Sequence, residues 1–340
     1  MSRLLLLALL ALAVAGCGKV SEVREPDVFA GEGIKPAPRA DERGPRPDGT
    51  VRIAVVTHAT ASSTFWSVVR NGFDAAARQM DATVSYKSPD TFSVTRMREF
   101  IDEAVDSRPD GLVVSIPDPA VGPAIRRAVR AGIPVVSINS GADLWREFGI
   151  LAHVGQPEWR AGFQSGRRMA AAGVRDGLCV NQEEGNEGIS LRCRGFRAAL
   201  RKVGGRASEI AIDLQDASRA QQQIATAVEQ LGADGVMSLG TGASGPALEA
   251  VRAGGFGRKV QLATFDLTPE VLEAVRIKRM LFAVDQQPYL QGYTPVMMLA
   301  ERSRHRLFPP SGELIATGPQ FITAADVDDE LIELSRRGLR

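Results

Sequence analysis

Cysteine and histidine are scarce in this chain of 340 residues, three of each. His58, His153 and His305 lie far apart in sequence, and no H-E-x-x-H or C-x-x-C spacing supplies metal ligands. Ser190 and Ser244 sit in glycine-bearing stretches, but neither has the G-x-S-x-G elbow of a serine nucleophile. Glu183-Glu184-Gly185-Asn186-Glu187 lacks the residue order of a calcium loop and reads as a charged surface loop. The chain has almost no net charge, +1, so nothing points to nucleic acid or to a strongly acidic partner. The basic runs 302–306 and 336–340 are expected to be solvated helix ends. The one long apolar run, the thirteen residues from Leu4 to Gly16, is shorter than the ~20 residues needed to span a bilayer.

That run follows Arg3 and ends in small residues, the order of charge, apolar core and cleavage site of a secretory signal. It resembles a bacterial lipoprotein signal, in which Val14-Ala15-Gly16-Cys17 would be the lipobox, with cleavage before Cys17 and lipid on its sulfur. The mature protein would then lie outside the cytoplasm. Cys179 and Cys193 remain as an even pair in an oxidising space. A bond between them would close a loop of about 15 residues, worth roughly 3 kcal/mol in the chain-entropy model. Two buried thiols are the alternative.

From Gly18 to Gly49 the chain is rich in Pro, Gly and charge, as in a flexible tether. From Val51 onward, short apolar runs alternate with helix-periodic segments. The runs 51–57, 111–116, 133–138, 177–180, 235–239, 260–265 and 281–284 read as strands covered on both faces. Helical spacing marks Phe65–Met80, Val94–Asp106 and Gln221–Leu231. Such alternation implies a parallel sheet with right-handed crossovers. The segment Gly122–Gly132 nearly repeats at Gly245–Gly254, each copy after an Asp-Gly-led strand and before another, which favours two lobes of similar topology.

Ligands of open α/β sheets bind beyond the carboxyl ends of the strands. Those ends carry His58, Asn139, Thr241, Asp266 and Gln286, among other polar residues, and Phe65 and Trp66 open a helix just after the first. An aromatic platform among such groups matches the C–H faces and hydroxyls of a sugar. Gly240-Thr241-Gly242-Ala243-Ser244-Gly245 fits G-x-G-x-x-G, with Asp266 at the next strand end, as in a dinucleotide site. It lies deep in an exported chain without a twin-Arg signal and without a marked catalytic acid or base, so the glycines read as a tight turn and no cofactor is expected.

From Val51 to about Val327 the chain resembles the type I periplasmic sugar-binding proteins of ABC importers. The likeness rests on Ile53-Ala54-Val55-Val56 with Phe65-Trp66, on 110–114 and 132–136, and on His153-Val154-Gly155-Gln156. Arg192-Cys193-Arg194-Gly195-Phe196, Thr264–Pro269 and Asp285–Tyr293 continue it in order. The resemblance implies an α/β fold of two similar Rossmann-like lobes with parallel sheets, joined by three crossovers and closing on ligand about a hinge. Residues 1–16 would be signal peptide and 17–49 the lipid-anchored linker. Residues 51–153 with 288–317 would form the N-terminal lobe, and 154–287 with 318–330 the C-terminal lobe. Crossovers are expected near His153-Val154, Gln286-Pro288 and Thr317-Gly318. Arg192, Asp266 and Gln286 fall where these proteins bond sugar hydroxyls, Arg192 and Asp266 reaching ligand across the cleft, and Phe65 or Trp66 matches the stacking ring.

Asn139-Ser140 and Leu239-Gly240-Thr241 depart from the ribose binders, which have Asp-Arg and Asn-Asp pairs there. The implied ligand is therefore another neutral sugar, a polyol or a different small polar molecule. The implied protein is a monomeric, non-enzymatic periplasmic receptor, touching the membrane through its lipid alone and delivering solute to a permease. A ligand receptor for a sensor kinase is the alternative, and an exported NAD-dependent oxidoreductase the remote one.

Overall fold

In a computed structural model the described residues are 49–58, 63–214, 216–310 and 312–340. The export signal, Cys17 and the tether up to residue 48 lie outside them. The first half runs β1 (Val51–Val56), α1 (Thr64–Gln79), β2 (Ala82–Lys87), α2 (Val94–Asp106), β3 (Gly111–Ser115), α3 (Gly122–Arg130), β4 (Val135–Ile138) and β5 (Ala152–Gly155). There follow α4 (Glu158–Ala171), β6 (Asp176–Asn181), α5 (Glu187–Arg201), β7 (Arg206–Ala211), α6 (Ala217–Leu231) and β8 (Gly235–Ser238). Next come α7 (Thr241–Ala253), β9 (Gln261–Phe265), α8 (Pro269–Arg276) and β10 (Ala283–Asp285). The chain ends with α9 (Pro288–His305), β11 (Glu313–Ala316), β12 (Gln320–Ile322) and α10 (Asp329–Arg336).

The strands form two six-stranded sheets, ordered β11-β5-β4-β3-β1-β2 and β12-β10-β9-β8-β6-β7. The two orders correspond strand for strand, which is the two-lobe α/β architecture expected from the internal repeat. All pairings are parallel except β12 on β10. In the N-terminal sheet Val51, Ile53 and Val55 point into one apolar cluster, and Ala54 and Val56 into another on the opposite face. This two-sided burial explains the continuous apolar runs. β2 is half-buried with strict alternation, as an edge strand is, and so lacks such a run.

The chain passes between lobes at Gln156-Pro157, Gln286-Gln287 and Thr317-Gly318. His153-Val154, near which the first passage was expected, lie inside β5 just before it, buried and paired with β4 and β11. The expectation for the two basic runs fails in detail. Arg304 donates to the Met80 and Asp81 carbonyls, closing the C-terminal end of α1. Arg340 reaches back to Asp285 at 2.6 Å, so neither basic run is merely a solvated helix end.

Equivalent helix pairs cross closely in both lobes because glycines leave room. A Cβ at Gly72 would stand 2.1 Å from the Tyr289 carbonyl oxygen, and one at Gly292 would stand 1.9 Å from that of Val69. On the C-terminal side, a Cβ at Gly195 would stand 2.1 Å from the Trp159 carbonyl oxygen, and one at Gly162 would stand 1.9 Å from that of Arg192. The α1–α9 and α5–α4 crossings thus match residue for residue, Val69 with Arg192 and Tyr289 with Trp159. Cys179 of β6 and Cys193 of α5 are disulfide-bonded, with Cα atoms 5.9 Å apart.

Candidate functional site

The carboxyl ends of both sheets face a cleft of about 740 Å³. His58, Phe65, Trp66, Asn139, Arg192, Thr241, Asp266 and Gln286, named from sequence, all line it. The N-terminal lobe supplies its aromatic wall. Ser63 caps α1, its side chain accepting from the Trp66 amide, and so sets Phe65 and Trp66 on the first turn. The two rings meet edge to face at 5.3 Å, and His58 meets Trp66 edge to face at 5.0 Å. Phe92, which sequence reasoning missed, adds a further ring 6.1 Å from His58. It sits in a loop with no periodicity to mark it.

Apart from Asp90, the charge in the described lining comes from the C-terminal lobe. Arg192 and Asp266 were expected to reach ligand from opposite sides, but both rise from this lobe, on α5 and just past β9. Arg192 donates through Nε to Glu158 Oε2 at 2.6 Å, through its second terminal nitrogen to Glu158 Oε1 at 2.8 Å, and through the first to the Leu239 carbonyl at 2.7 Å. Its guanidinium carbon lies 4.5 Å from the Phe265 ring centre. Burial opposes the charge on Arg192, but the Glu158 carboxylate outweighs it and holds the pKa above the usual value. Gln156 Nε2 donates to Glu158 Oε2 at 3.0 Å. Glu158 escaped sequence reasoning because an acidic residue in the first turn of a helix already suits the helix dipole. Nothing local reveals a partner 34 residues away.

Asp266 has a left-handed backbone, φ 68°, and accepts from Gln286 Nε2 at 2.6 Å. Burial raises its carboxyl to about 6 against the opposing pull of Arg192 and Gln286. Gln286 in turn accepts from Asn139 Nδ2 at 3.2 Å and from Gln291 Nε2 at 3.0 Å, and Gln291 also donates to Thr317 Oγ1 at 3.2 Å. The cleft carboxylate is therefore wired to the second and third crossovers. Asn139 belongs to this hinge network as much as to the cleft.

At one edge the lobes touch through the 183–187 loop, which is no mere charged surface loop. Asn186 is buried and caps α5, its Oδ1 accepting from the Gly188 amide at 2.9 Å and from Ser140 Oγ at 3.1 Å. Those bonds fix the amide orientation, so Asn186 Nδ2 donates to His58 Nε2 at 3.1 Å. His58 then carries its proton on Nδ1 and donates to Ser115 Oγ at 2.7 Å. Burial keeps this imidazole below its usual pKa, Glu183 pulling it up and Arg192 pushing it down. The Glu187 amide completes the clasp on the Pro117 carbonyl at 2.8 Å. An Asn ahead of Glu-Gly at a helix start was the available sequence signal. Among the described residues no cluster of His, Cys, Asp and Glu could hold a metal ion, and no helix is long and apolar enough to cross a membrane.

Two lobes joined by three crossovers around a polar, partly aromatic cleft define the architecture. Residues 53–306 match the family described as Periplasmic binding protein domain. The chain belongs to the periplasmic binding proteins of type I. It is similar to a carbohydrate transporter from Acidothermus cellulolyticus 11B, solved in complex with myo-inositol. That likeness has 33% identity and a TM-score of 0.80, and covers 86% of this chain and 100% of that one. A xylose/arabinose-binding protein from Sulfolobus acidocaldarius is 23% identical over 91% of this chain and 80% of its own length. A solute-binding protein from Burkholderia graminis C4D1M, solved with D-arabinose, shares the fold at a TM-score of 0.73 and 18% identity, over 82% of this chain and 97% of that one.

Proposed function

We propose that the protein captures a neutral polyhydroxylated ligand, a cyclitol or monosaccharide, between its lobes and hands it unaltered to the permease of an ABC importer. The observation that carries this reading is the convergence of Asp266, Gln286 and the unengaged edge of Arg192 on the His58–Trp66–Phe65 wall. Carboxylate, amide and guanidinium bond hydroxyls, and rings cover C–H faces. The similarity to a protein solved with myo-inositol puts cyclitols first among candidates. The protein works as a monomer on the periplasmic side, held to a membrane by lipid on Cys17 through the tether. In the receptor the His58–Asn186 clasp holds the lobes together over the ligand.

Titration calorimetry and thermal shift of the mature protein against myo-inositol, pentoses, hexoses and NAD test this. One cyclitol or sugar should bind, and at 100 times its Kd should add about 2.7 kcal/mol of stability. NAD should give no heat. A panel in which NAD alone binds would overturn the reading, as would one in which nothing does. Cys17→Ser should move the protein from the membrane to the soluble fraction.

A further inference from the structure

We infer that Glu158 sets the charge selectivity of the cleft: by engaging the Arg192 guanidinium from behind, it makes the site accept neutral hydroxyls and reject carboxylate- or phosphate-bearing ligands. This rests on the receptor reading above. An unpaired buried arginine in a ligand cleft is an anion site, because its planar fork matches carboxylate and phosphate. Glu158 occupies that role itself, bidentate at 2.6 and 2.8 Å. Of the five N–H groups of the guanidinium, Glu158 and the Leu239 carbonyl take three. Among the described residues one N–H on each terminal nitrogen has no partner, and Arg192 lines the cleft, which suffices to donate to hydroxyls with the charge already matched.

Glu158 does not line the cleft and is 2% exposed, so it acts through Arg192 and is a positioning residue. Packing does not require it. At the matching crossing in the other lobe, Val69 stands in the place of Arg192 and Pro288 in that of Glu158, and the helices approach just as closely. Among the described lining residues Arg192 is the one Lys or Arg, against Asp90, Glu183, Glu184, Asp213, Asp266 and Glu270. An anion entering this site meets like charge with no unmatched cation to offset it.

The test is calorimetry at about pH 8, where the Asp266 carboxyl is ionised. The ligand pairs are myo-inositol and its monophosphate, D-glucose and D-glucuronate, and D-galactose and D-galacturonate. Wild type should favour the neutral member of the pair it binds by about 100-fold or more, the scale of a like-charge contact. In Glu158→Gln that ratio should fall by about 10-fold or more, chiefly through tighter binding of the anion. Glu158→Asp, which keeps the charge, should preserve the ratio even if both affinities drop. A folded Glu158→Gln with an unchanged ratio overturns the inference, as does Glu158→Asp relaxing it equally. Wild type binding an anion as tightly as its neutral partner overturns it however the variants fold. If a pentose or another hexose is the neutral ligand bound, it is compared in the same way with its own phosphate; wild type binding no neutral cyclitol or sugar at all removes the receptor reading, and the inference with it.

Discussion

At the crossing of α1 and α9 in the N-terminal lobe, the residues against the glycines are Val69 and Tyr289, with Pro288 just before Tyr289; at the crossing of α4 and α5 in the C-terminal lobe they are Arg192 and Trp159, with Glu158 just before Trp159. Backbone approach is the same, 1.9 and 2.1 Å from a would-be Cβ in each lobe. Strand ends match too, Asn139 after β4 and Asp266 after β9 both in left-handed backbone. Where the first lobe has an aliphatic side chain and an amide, the second has an ion pair and a carboxylate. The repeated scaffold fixes where side chains point, and substitution on that scaffold decides what they do. In the described lining the rings come from the N-terminal lobe and every charged side chain except Asp90 from the C-terminal one.

The largest expected effect breaks that asymmetry. Arg192→Met leaves Glu158 buried and unpaired and should cost about 3–5 kcal/mol in urea denaturation. Giving the C-terminal crossing the apolar solution of its counterpart, with Arg192→Met and Glu158→Leu together, should restore most of that stability while ligand binding stays lost. A double variant as unstable as the single one would show that the two crossings are not interchangeable.

Asp266 comes next. Its carboxyl is raised to about 6 in the folded protein, so the folded state holds this proton more tightly than the unfolded chain. Stability of the unliganded protein should therefore fall as pH rises from about 4 through 6, by on the order of 2–3 kcal/mol. Asp266→Asn should flatten that slope, because Asn139 at the matching place does not titrate. Ligand hydroxyls donating to the ionised carboxylate should draw its pKa down, so binding near pH 6 should release protons. Calorimetry in buffers of different ionisation enthalpy reads this directly, and no buffer dependence would remove Asp266 from ligand contact.

The smallest effect sharpens the comparison at the glycines. Gly162→Ala and Gly292→Ala each force a methyl against a backbone carbonyl and should cost similar amounts, about 1–3 kcal/mol or more. Only Gly162→Ala presses on the Arg192 backbone, so its ligand affinity should fall further than that of Gly292→Ala, as measured by calorimetry at equal fractions folded.

Much of this was written along the chain. Two-sided burial of the central strands produces apolar runs that need no tertiary knowledge to recognise, and strand ends in a parallel sheet are where ligands gather, so His58, Asn139, Thr241, Asp266 and Gln286 line the cleft, as do Phe65 and Trp66 at the start of α1 and Arg192, which the family resemblance pointed to. Local chemistry also marked Cys179 and Cys193 as an even pair. Edge strands β2 and β7, half-buried and without such runs, left a weaker trace. Glu158 with Arg192, Asn186 with His58 and Arg340 with Asp285 left none, since each joins residues between 34 and 128 positions apart. A side chain's type and its neighbours in sequence decide its local conformation, whereas its electrostatic partner depends on which helices the fold brings together. Sequence determined the lobes and the residues around the cleft; only the tertiary structure decided that its arginine is already matched.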